Sequence, residues 1–71
     1  MDRAIILKHL AQAERHVAQG RQIIEKQETL IVDLERDGHD TADAMKILVT
    51  MRQTQALHEE DRDQIMKELE Q

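Results

Sequence analysis

Leu34-Glu35-Arg36-Asp37-Gly38-His39-Asp40-Thr41-Ala42-Asp43-Ala44 reads as the end of one helix, a tight reversal and the start of another. Glycine takes the left-handed backbone angles that close a helix without a Cβ clash, so Gly38 is the natural residue just past the helix end. Asp40 then offers a carboxylate to the free amides of a new helix, and Asp43 sits in the positive field of its first turn. Thr41 is the alternative cap, one residue later. The stretch predicts an all-α fold, an antiparallel two-helix hairpin occupying residues 1–71 as a single domain. Its helices should run over about 2–36 and about 40–70, with a turn at 37–39.

On the N-terminal side, Ile6, Leu10, Ala13, Val17, Gly20, Ile24, Gln27, Ile31 and Leu34 recur at alternating steps of four and three. That is a heptad seam. Ile23 and Leu30 lie beside it and Leu7 lies on its other flank, so the stripe is wider than a two-stranded coiled coil uses. Gly20 is the odd member, because a glycine inside a helix costs about 1 kcal/mol relative to alanine. Either a large residue on the facing helix occupies its space or the helix bends slightly there.

On the C-terminal side, Ala44, Leu48 and Met51 open a second seam that Ile65 and Leu69 close; Ile47, Met45 and Met66 broaden it. Between these apolar ends the same spacing falls on Gln55, His58 and Arg62. Folding the arms about Gly38-His39 places His58 near Gly20 and His16, Arg62 near Arg15, and Leu69 and Glu70 near Lys8. His16, Gln55, His58 and Arg62 then form a polar layer that hydrogen-bonds across the helices and fixes their register. Residues 1–27 carry a net +2 and residues 28–71 a net −7. A basic first arm lying along an acidic second arm follows, with Glu59, Glu60 and Asp63 within reach of Arg15 and Arg21.

Seventy-one residues supply little core, and natural domains of this size usually add disulfides, a metal or a partner chain. Disulfides are excluded, because there is no cysteine. The interior must be aliphatic, since the chain has no aromatic residue. Lys8 interrupts the apolar run Ala4-Ile5-Ile6-Leu7 well short of a signal-peptide core, and no run approaches a membrane span. The net charge of −5 opposes nucleic-acid binding, which needs a positive face. A cytoplasmic protein without a membrane or nucleic-acid partner is expected.

Catalytic chemistry finds no foothold in the residue types. Cysteine, serine and tyrosine are absent, the threonines at 29, 41, 50 and 54 have no recognisable nucleophile setting, and there is no glycine-rich phosphate loop. Of the four histidines, His16 and His58 with Asp61 make the best candidate metal cluster, but no Glu-x-x-His pattern accompanies them. The polar layer is the simpler reading, and no cofactor is called for. Met45, Met51 and Met66 could make an adaptable docking surface, although methionine at helical spacing more often packs in a core.

Two helices touch along one strip, whereas these stripes are broad. Ile23, Leu30, Ile47 and Leu57 would remain partly wet in a lone hairpin. A homodimer forming a four-helix bundle would cover them, with Ile6, Leu10, Val17, Ile23, Ile24, Leu30, Ile31, Leu34, Ile47, Leu48, Met51, Ile65 and Leu69 as core and interface. The expected function is that of a small non-enzymatic interaction protein, structural or regulatory. The alternative is a regulator that docks on a bacterial kinase or response regulator through its second helix, and a metal-binding bundle ranks third.

The runs Ala13-Glu14-Arg15-His16-Val17-Ala18, Leu34-Glu35-Arg36-Asp37-Gly38-His39-Asp40-Thr41 and Thr54-Gln55-Ala56-Leu57-His58 resemble short helical proteins of alphaproteobacteria whose activity is unassigned. The resemblance spans most of the chain. It implies a bacterial cytoplasmic protein and transfers no functional residue. The helix, glycine turn, helix order is also similar to small hairpins that inhibit or dephosphorylate bacterial signalling proteins. Their Ser-Gln-Glu-Leu-Asp motif is missing here; the nearest stretch, Met45-Lys46-Ile47-Leu48-Val49, has no acid.

Overall fold

A computed structural model describes residues 2–71 and, among them, two long helices packed antiparallel with no strand. Helix α1 spans Arg3–Arg36 and α2 spans Ala42–Glu70. Absence of proline, and glycine only at 20 and 38, lets each run uninterrupted.

Each end of the hairpin is closed by a specific residue. At the start, Asp2 is extended and its Oδ1 accepts a hydrogen bond from the Ala4 amide at 3.0 Å, a cap that the reading of the sequence did not single out. At the far end of α1, Gly38 adopts φ +76, the left-handed region. The Gly38 amide donates to the Glu35 carbonyl at 3.1 Å and the His39 amide to the Leu34 carbonyl at 2.8 Å. These paired bonds are a Schellman closure, which satisfies carbonyls the helix would otherwise leave free. Asp40 Oδ1 then accepts from the Ala42 amide at 2.9 Å. Thr41 occupies the cap position without a side-chain bond, and its carbonyl accepts from Met45. Helix α2 therefore starts two residues later than expected, because Asp40 caps it from outside.

The later start changes the register. A three-residue turn would set Ala44 near Asp33. The link instead has five residues, 37–41, and the long side chain of Gln27 reaches the Ala44 carbonyl, Nε2 donating at 2.9 Å. At the open end, an Arg3 guanidinium nitrogen donates to the Leu69 carbonyl at 3.4 Å, where Lys8 was the expected neighbour. The expected charge pairing also changes. Arg62 bonds the adjacent Asp63 at 3.0 Å, and Arg15 and Arg21 make no ion pair among the described residues. Arg52 and Glu28, 3.5 Å apart, form the cross-helix ion pair. Both are more than half or nearly half exposed, so this pair adds about 0–1 kcal/mol.

The buried side chains follow the seam: Ile6, Ala13, Val17 and Ile31 on α1, Leu48 and Gln55 on α2. Leu10, Ile24, Leu34, Met51, Ile65 and Leu69 are half-buried along the same line. Ile23, Leu30 and Ile47, beside the seam, are exposed. Two cylinders in contact can shelter one strip each, and the flanks lie outside it. The result is a rod measuring 54 × 14 × 13 Å across its Cα atoms.

Candidate functional site

The middle of the rod is organised by a residue with no side chain. Gly20 leaves a notch on α1, and Gln55 from α2 fills it. A Cβ on residue 20 would run into the Gln55 amide, 2.8 Å from Cδ and closer still to Oε1. Gln55 Nε2 donates to the Val17 carbonyl at 2.8 Å, and the residue is 7% exposed. That bond fixes the orientation of the amide, because the flipped form would set two oxygens against each other. Oε1 is left buried beside Gly20 with no hydrogen-bond partner among the described residues. Some of the stabilisation from the Nε2 bond is lost to that orphan acceptor.

One residue type at Gly20's facing position was anticipated and another is found: the glycine accommodates Gln55, not His58. His58 meets His16, as folding the arms about the turn placed it, with ring centroids 5.4 Å apart and planes tilted by 49°. Arg62, the remaining member of the expected polar layer, is half-buried and turns to Asp63 along its own helix. The cross-helix hydrogen bond of this layer thus belongs to Gln55. The second polar bridge, Gln27 to Ala44, was not singled out from the sequence, although Gln27 sits at a seam position where an aliphatic residue would be usual.

A groove of about 470 Å³ runs between the helices beside this layer. Ile23 on α1 and Ile47 and Met51 on α2 form its apolar walls, with Gly20 and Gln55 at its base and Lys46 among its lining residues. His16 and His58 lie at its end nearer the termini. His16 also lines the next concavity along the rod, with His9, Gln12, Asp61 and Gln64 over Ala13 and Ile65. That side of the hairpin is mixed along its length: Lys46, Thr50 and Thr54 stand among the apolar walls, and exposed Ile5, about five helical turns from Ile23 on the same face, lies toward the open end. Glu28, which pairs with Arg52, is five residues from Ile23 and so about 140° away around the helix. The ion pair bridges the other side of the seam. Leu57, two positions past buried Gln55 and about 200° round the helix, points away from α1.

The chemistry available here is that of contact. His16 and His58 could supply two nitrogen ligands, but among the described residues no three histidine, cysteine or acidic side chains converge as a metal site. Asp61, grouped with them on sequence spacing, lines the neighbouring concavity with His16. No described helix is long and apolar enough to cross a membrane. No protein-family model matches the chain, and neither a curated protein nor a solved structure matches it.

Proposed function

We propose that this chain is a small non-enzymatic interaction protein whose working unit is a homodimer, two hairpins joined through their aliphatic flanks as a four-helix bundle. The observation that carries this reading is the amount of surface left over. A compact monomer of 8.3 kDa exposes about 4,600 Å². This hairpin exposes 5587 Å², about a fifth more. The excess includes Ile23 at 50% exposure and Ile47 at 51%. Helix α2 has 29 residues, and Leu48 is its sole buried apolar side chain among those described. A second copy supplies the missing cover.

The test compares two aspartate substitutions, at exposed isoleucine and valine positions on opposite sides of α2. Ile47→Asp, on the groove side, should lower thermal stability and remove its dependence on protein concentration, which is the signature of folding linked to association. Val49→Asp, three residues before Arg52 on the side that the ion pair bridges, should leave that dependence in place. Equal effects of the two, or a concentration-independent melt in the native chain, would reject the reading.

A further inference from the structure

We infer that His16 on α1 and His58 on α2 form a two-imidazole site for a zinc ion, which ties the two helices together. The site lies within one hairpin, so it does not rest on the homodimer reading.

Spacing carries the inference. The ring centroids of His16 and His58 are 5.4 Å apart. Two imidazoles on one tetrahedral zinc ion, with Zn–N bonds of about 2.0–2.1 Å, hold their ring centres about 5 Å apart. The rings thus already have the separation that a shared ion imposes. Their tilt of 49° agrees with this, since an ion fixes the direction of each bound nitrogen and leaves the ring free to rotate about that bond.

The backbone beneath the pair is held in place. Val17, next to His16, is 3% exposed, and its carbonyl accepts from Nε2 of Gln55, which lies one turn before His58. That bond sets the separation of the helices at the level of the histidines, so an arriving ion has little to order. The pair is also reachable. His16 is exposed and His58 half-buried. Both line the groove, and His16 also lines the concavity that Asp61 shares.

Charge permits a cation here. The chain carries a net −5, and Arg62, one turn past His58, is engaged by Asp63 at 3.0 Å. Lys46, the cation that lines the groove, lies about 18 Å along α2 from His58 and is screened from it at physiological salt. Imidazole nitrogen suits zinc, whereas magnesium and calcium take oxygen ligands. Two protein ligands leave the remaining positions on the ion to water, so the zinc is a removable strap across the hairpin.

The test follows the melting temperature of the native chain in zinc chloride, with magnesium chloride as control, beside His16→Asn, His58→Asn and His9→Asn. At zinc ten times its dissociation constant, measured by titration calorimetry, the native melting temperature should rise by about 6–11 °C. The rise should persist in His9→Asn and vanish in His16→Asn and in His58→Asn, with circular dichroism showing that each variant stays helical. Magnesium should not reproduce it. A native melt that zinc leaves unmoved would make the two rings packed neighbours only, and overturn the inference. So would a rise retained in full by His16→Asn or His58→Asn, or one that magnesium equals.

Discussion

Gln55 reaches into the one position on α1 that carries no side chain. The fit ties two substitutions together. Alanine at position 20 should gain about 1 kcal/mol from helix propensity wherever there is room for it. Here its methyl displaces the Gln55 amide and breaks the bond to the Val17 carbonyl, a loss of about 1 kcal/mol. Gly20→Ala should therefore leave urea stability unchanged or lower in the native chain, yet raise it by about 1 kcal/mol in a Gln55→Ala background. Equal gains in both backgrounds would show that the two residues are independent. At this scale the sequence left two readings of residue 20, a large facing residue or a slight bend, and the first is found. It did not say which residue, because Gln55 and His58 fall on the same seam one step apart. Only the path of the link decides between them.

Among the elements, the helix ends carry the most testable chemistry. Gly38 at φ +76 needs a backbone region that costs an L-residue about 1–2 kcal/mol, so Gly38→Ala should destabilise by about that amount. Asp40→Ala should cost about 1 kcal/mol by removing the cap on the Ala42 amide, whereas Asp40→Asn should keep most of it. Equilibrium urea unfolding reads both, and a neutral Asp40→Ala would contradict the capping role. The two helices, their reversal and their seams were legible because Gly38, the acidic cap and the four-three spacing are local signals. The start of α2 at Ala42, the bond from Gln27 to the Ala44 carbonyl and the identity of the ion pairs were not. Each depends on how the link at 37–41 lies against α1, which is a tertiary choice.

The whole molecule is long for its mass. Its radius of gyration is 16.4 Å, where a compact chain of 71 residues has about 11 Å. That elongation leaves the flanks at Ile23, Leu30 and Ile47 uncovered, as their position beside the seams foretold. The groove between Ile23, Ile47 and Met51 was harder to read. Its lining includes Gly20 and Gln55, the seam positions at which the aliphatic pattern lapses. The central claim, that one hairpin is half of a bundle, meets its most direct measurement in sedimentation equilibrium of the native chain at micromolar concentration. The account predicts twice the 8.3 kDa chain mass, and a species that stays at 8.3 kDa across that range would contradict it.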